Sequence, residues 1–166
     1  MTVLAANKTR PVKAPPGGCK FRVIPLVGYT HHTAAHTVYK GSIVVSDASV
    51  AAGYYHAAAA ATGNVADIFG GIAMEKEVVP ATALADGVHD VTVAVDGVWK
   101  FANEDTLTIA DEGKPAYAQD DDNVNVDPGT GPNSLAWWIG YVINVDASFI
   151  WVDIKPACGA LNVAPT

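Results

Sequence analysis

The stretch Val91-Thr92-Val93-Ala94-Val95-Asp96-Gly97-Val98-Trp99-Lys100-Phe101 sets the fold class. Val91, Val93 and Val95 share one face of an extended chain, and Thr92 and Ala94 share the other. Asp96-Gly97 then separates this run from a second apolar run, and Asp-Gly in that position predicts a type I′ hairpin.

Working outward, similar segments recur at short intervals between Gly, Asp, Asn and Pro. Expected strands are Phe21–Gly28, Thr37–Ser46, Ile68–Val79, Val88–Val95, Val98–Ala102, Leu135–Asp146 and Phe149–Ile154. Asp146-Ala147-Ser148 predicts a second tight hairpin, with Phe149, Trp151 and Asp153 on one side and Ile150, Val152 and Ile154 on the other. Ala57 to Ala61 has high helix propensity, but flanking Gly53 and Gly63 leave a small-residue loop as an equal alternative. A weaker helical candidate is Asn103 to Ile109. The sum is a mainly β chain, a small barrel or sandwich with at most one short helix.

At 166 residues the chain has room for one well-cored domain. Hydrophobic residues make up 50% and charged residues 16%, which excludes disorder for most of it. The apolar run Leu135 to Ile143 is about half the ~20 residues that a spanning helix needs. Met1 to Ala6 leads into Lys8, Arg10 and Lys13 rather than an apolar signal core, so synthesis and folding in a cytoplasm are expected. There Cys19 and Cys158 default to free thiols, and a bridge closing the domain or linking subunits is the alternative.

The net charge of −7 is split unevenly. Residues 1 to 46 carry Lys8, Arg10, Lys13, Lys20, Arg22 and Lys40 and no acid, a balance of +6. Residues 47 to 166 carry four cations and all 17 acids, a balance of −13. Residues 1 to 20, with Pro11, Pro15, Pro16, Gly17 and Gly18, are expected to form an extended basic arm that orders on contact. Lys8, Arg10, Lys13, Lys20 and Arg22 would be its docking residues. With one aromatic, Phe21, the arm has no stacking platform for nucleic acid, so a protein surface is the expected partner. A single β domain from 21 to 156 and a loose tail from 157 to 166 complete the layout.

Catalytic and metal motifs fail at specific positions. His32 and His36 have the spacing of a helical zinc pair, but Thr33 stands where the catalytic Glu would be. On a strand the two would lie ~13 Å apart, too far to share an ion. His31, His32 and His36 therefore read as polar loop residues. A calcium loop starting at Asp121 has Val126 in place of the turn glycine and Pro132 in place of the bidentate Glu. Residues 120 to 127 read instead as an exposed acidic turn leading into a short strand. No nucleophile elbow or phosphate loop is present. The expectation is a chain without catalysis, cofactor or metal.

Trp137 and Trp138 are consecutive, so on a strand they point to opposite faces. One can be core, while the other faces solvent, a ligand or another subunit, unless both sheet faces are covered. With Trp151 they are the candidate interface aromatics.

The order of segments carries a resemblance. Tyr39-Lys40-Gly41-Ser42-Ile43-Val44-Val45 is followed by Ile68-Phe69-Gly70-Gly71-Ile72-Ala73-Met74, then Asp86-Gly87, Val91-Thr92-Val93 and Asp96-Gly97-Val98-Trp99-Lys100-Phe101. Lys114-Pro115-Ala116-Tyr117-Ala118-Gln119-Asp120, Trp138-Ile139-Gly140-Tyr141-Val142 and Trp151-Val152-Asp153-Ile154 complete it. The pattern resembles the small head-decoration (capsid cement) proteins of tailed phages and prophages over residues 37 to 154. The resemblance implies a β-tulip-like or small barrel domain, commonly trimeric, bound to the major capsid protein outside the head. It implies a virion location and a stabilising role; the short apolar runs and the aromatic-poor arm separately lead us to expect neither membrane nor nucleic acid as partner. A ligand-binding β module, carbohydrate-binding or adhesin-like, using an exposed Trp is the alternative.

Overall fold

The computed structural model describes residues 6–7, 10, 12–15, 18–28, 35–46, 53–58, 67–82, 85–103, 106–128 and 137–158. The chain is mainly β. The strands are β1 (Val12–Lys13), β2 (Phe21–Pro25), β3 (His36–Val38), β4 (Ile43–Ser46), β5 (Tyr55–Ala57), β6 (Phe69–Ala73) and β7 (Glu77–Val79). They continue with β8 (Asp90–Ala94), β9 (Val98–Ala102), β10 (Pro115–Ala118), β11 (Val124–Asn125), β12 (Trp137–Val145) and β13 (Phe149–Asp153). A six-stranded sheet runs β1-β9-β13-β12-β10-β11, a five-stranded sheet β2-β8-β6-β4-β5, and β3 pairs with β7. Among the described residues no helix is long and apolar enough to cross a membrane.

The two large sheets pack as a sandwich. Ile43, Val45, Phe69, Ile72 and Ala94 meet Trp99, Phe101, Trp137, Ile139, Ile150 and Val152 in the main core. The opposite face of the five-stranded sheet carries Ile24, Val44, Ala73, Val91 and Val93, covered by Val38 of β3 and Val79 of β7. That sheet is thus buried on both sides, which is why Ile43–Ser46 and Phe69–Ala73 are continuous buried runs rather than alternating ones. Among the described residues neither sheet closes into a barrel. The five-stranded sheet curls far enough for Val27 N–H to donate to the Tyr55 carbonyl, an isolated bridge among the described residues.

Asp96-Gly97 corrects the hairpin expectation. β8 belongs to the five-stranded sheet and β9 to the six-stranded one, so the two residues turn a corner between sheets. The Asp96 carboxylate accepts from Lys20 N–H at 2.6 Å, its carbonyl accepts from Trp99 Nε1 at 3.0 Å, and Gly97 has φ 99°. A two-residue turn would keep Trp99 beside β8; the corner swings it into the core. The β12–β13 hairpin forms as expected, with Ser148 and Phe149 N–H both donating to the Asp146 carboxylate.

Two expected strands break in the middle. Residues 37–46 divide at the Tyr39–Gly41 turn, and residues 68–79 divide at Met74–Lys76. Short strands β1, β5, β10 and β11 carry too few alternations to be read from sequence. Neither helical candidate is helical in the described residues. Ala57 ends β5, and residues 59–61 lie outside them. Asn103 instead brackets Leu107, its amide accepting from and donating to that residue's backbone. The helical content there is one 3-10 turn, Ile109–Asp111, closed by a capping box between Thr108 and Asp111.

The packed unit also runs past the expected limits. Arg10 and Val12–Lys13 pack on it at one end, and Ala157 is fully buried at the other. Residues 159–166 lie outside the described part.

Candidate interaction surface

Arg10 lies where an exposed arm was expected, yet it is 5% accessible. Its Nε donates to the Gly41 carbonyl at 2.6 Å, its Nη2 meets Asp122 Oδ1 at 2.5 Å, and the guanidinium sits 4.4 Å from the Phe101 ring centroid. Burial pulls this guanidinium below its ordinary value, and the charges of Asp122, Asp121 and Asp120 pull it back. An arginine retains its proton through such a contest.

The acidic turn is its counterpart, and it too is buried rather than exposed. Asp120 accepts from Asp122 N–H, Asn123 N–H and the Asn123 side-chain amide. Asp121 accepts from Ser42 Oγ at 2.8 Å, while its carbonyl accepts from Ile43 N–H. The run of carboxylates is therefore an internal latch, joining the N-terminal segment, the 39–43 turn and β11. Among the described residues no three His, Cys, Asp or Glu side chains are grouped to hold a metal ion.

The other arm residues divide. Lys8 lies outside the described residues. The Lys20 backbone is tied to Asp96. Arg22 lies over the Tyr55 ring at 5.8 Å and approaches its hydroxyl at 3.4 Å. Lys13, like Lys20 and Arg22, is exposed, and its Nζ lies 4.6 Å from the Trp151 ring centroid. Of the histidines, His31 and His32 lie outside the described residues and His36 opens β3.

Both consecutive tryptophans are inside. Trp137 is 1% and Trp138 6% accessible, so neither is an exposed aromatic of this chain. Trp137 Nε1 donates to Asp67 Oδ2 at 2.9 Å. The Trp138 indole folds back along its own strand, donates to the Gly140 carbonyl at 2.9 Å and meets Tyr141 edge-on. Both faces of β12 are covered at that end, the alternative that consecutive indoles left open.

Trp151 is different. It is half-buried on the outward side of β13, directly across from Lys100 of β9. Lys100 Nζ stands 3.3 Å from the Phe149 ring centroid and 5.6 Å from that of Trp151. With Lys13 on the flanking edge strand, this forms a cation–aromatic surface on the outside of the six-stranded sheet. Exposed Ile143 lies on the neighbouring strand β12. Each ammonium–ring contact contributes on the order of 1 kcal/mol. Lys100 and Phe149 were legible as outward positions from the alternation of β9 and β13. Their pairing with Lys13 was not, because β1 is two residues long. Compared with family models, curated proteins and solved structures, the chain matches none.

Proposed function

We propose that this chain is a non-catalytic structural protein of a tailed-phage head, a decoration protein that binds the outer capsid surface and stabilises the lattice. The order of strand and glycine segments from Tyr39 to Ile154 supports the head. The observation that supports binding is the Lys13, Lys100, Phe149 and Trp151 surface, a positive aromatic patch on a chain of net charge −7. Such a patch suits an acidic region of the major capsid protein, where aromatic anchors ringed by charge concentrate binding energy. The buried polar side chains Arg10, Asp120 and Asp121 are engaged in the internal latch, with Arg10 bound to Gly41 and Asp122, Asp121 to Ser42, and Asp120 to Asn123.

The test is direct. Purified protein is added to expanded heads of the phage whose genome encodes it, and the particles are imaged by cryo-electron microscopy. Ordered density on the outer surface, at symmetry-related sites, is expected. Heads that stay bare at saturating protein overturn the reading.

The half-exposed Trp151 also favours a second reading, a carbohydrate-binding module in which a sugar stacks on that ring. Saturable quenching of tryptophan fluorescence in a glycan screen, lost in Trp151→Ala, would select it.

A further inference from the structure

The five-stranded sheet ends on β2, and the hydrogen-bond alternation along that strand fixes which backbone groups point outward. Val95 N–H donates to the Lys20 carbonyl, and Leu26 N–H donates to the His89 carbonyl. Residues 20 and 26 are therefore hydrogen-bonded positions of the β2–β8 ladder, whose register pairs Phe21 with Ala94 and Val23 with Thr92. In an antiparallel ladder such positions alternate with ones that face away. Arg22 and Ile24 thus bond to β8, while Phe21, Val23 and Pro25 direct their backbone groups away from β8, to a side where the described residues place no further strand against them. Pro25 agrees with this, since a strand proline is accommodated where its missing N–H would have pointed out of the sheet. Val27 agrees as well, because its outward N–H takes a partner from another strand, the Tyr55 carbonyl.

The side chains at the same positions are apolar and exposed, Phe21 at 56% and Val23 at 63%. An edge strand left that way invites pairing unless something covers it. Among the described residues only β8 pairs with Phe21–Pro25. Lys20 and Arg22 interleave with the apolar positions, and no acid occurs in residues 1 to 46. A second copy laid antiparallel on β2 would bring two more cations against these two, with no carboxylate in either strand.

We infer that the open edge of β2 is a strand-addition site for an extended segment of a partner protein that alternates apolar and acidic residues. Its backbone would bond to Phe21 and Val23, its apolar side chains would cover those two, and its carboxylates would meet Lys20 and Arg22. The inference rests on reading the chain as a binder of a larger assembly, and where that assembly is a phage head the β2 edge is its contact.

The experiment uses the full chain and a synthetic peptide of about ten residues alternating Val and Glu, with a Val–Lys peptide as counterpart. Amide exchange is followed residue by residue by NMR. The Val–Glu peptide is expected to slow exchange at Phe21 and Val23 about tenfold or more, and the Val–Lys peptide to leave it unchanged. Val23→Pro removes an outward donor without removing a bond to β8. It should keep the wild-type circular dichroism and lose the protection. Unchanged exchange, equal protection by both peptides, or protection that rises with protein concentration alone would overturn the inference, the last by naming a second copy as the occupant. Heads that bind wild type and Val23→Pro equally would also overturn it while leaving the head reading intact. Protection by Val–Glu with heads that stay bare would do the reverse.

Discussion

Arg10 and Asp122 lie 112 positions apart and form a buried ion pair that fastens the N-terminal segment to the acidic turn before β11. An arm that sequence composition frees from the domain is thus part of it. Removing one partner of such a pair strands a charge away from water, which costs far more than the pair itself contributes. Arg10→Ala should therefore destabilise the fold by roughly 3–5 kcal/mol. Replacing both partners together, Arg10→Met with Asp122→Leu, should recover much of that loss. Urea unfolding of the three proteins checks this. Equal midpoints for Arg10→Ala and wild type would mean that the latch carries no stability. Deleting residues 2 to 20 should likewise weaken the domain rather than leave it intact.

Gly140 interrupts β12 with φ 143°, and a Cβ there would lie 2.0 Å from the Asp153 carbonyl oxygen. That oxygen belongs to the neighbouring strand of the same sheet and cannot move alone. Gly140→Ala should cost several kcal/mol, on the order of a large core defect, or prevent folding. Gly113, with φ 82° and open space around it, should lose only about 1 kcal/mol on the same change. Thermal melts of the two variants separate close approach from backbone conformation.

Three of the four tryptophans, Trp99, Trp137 and Trp138, are buried, and Trp151 is half-buried. Iodide should therefore quench one class of emission, drawn to it by Lys13 and Lys100. Trp151→Phe should abolish that class while leaving the fold unchanged. A quenchable fraction of the same size in the variant would place another indole at the surface.

Burial pushes the Cys158 thiol up to about 12, with Arg22 pulling it down and Asp96 and Asp153 adding to the rise. The folded state then holds that proton where the unfolded chain, with a thiol near 8.5, has released it. Stability from this group is full below the unfolded value and is lost as pH climbs from there through about 12. The expected effect, up to ~5 kcal/mol, is read as a shallower fall of stability with alkaline pH in Cys158→Ala than in wild type. Cys158 should also resist a thiol reagent at pH 8 until the protein unfolds.

The alternation in Val91–Val95, Val98–Phe101 and Phe149–Ile154 was enough to read a mainly β chain, because side-chain direction along a strand is a local property of the backbone. The β12–β13 hairpin and the outward places of Phe149 and Trp151 follow from the same rule. Whether Asp96-Gly97 folded its strands together or sent them to different sheets depended on Lys20 and Trp99, which no local pattern connects to it. Composition marked Arg10 and Asp120–Asp122 as surface charge, and only the tertiary structure brought them together to neutralise one another inside. Trp137 and Trp138 had to face opposite ways, and the sequence alone determined that much. That both faces were covered was decided by packing, since burial belongs to the pair of surfaces that meet and not to either strand alone.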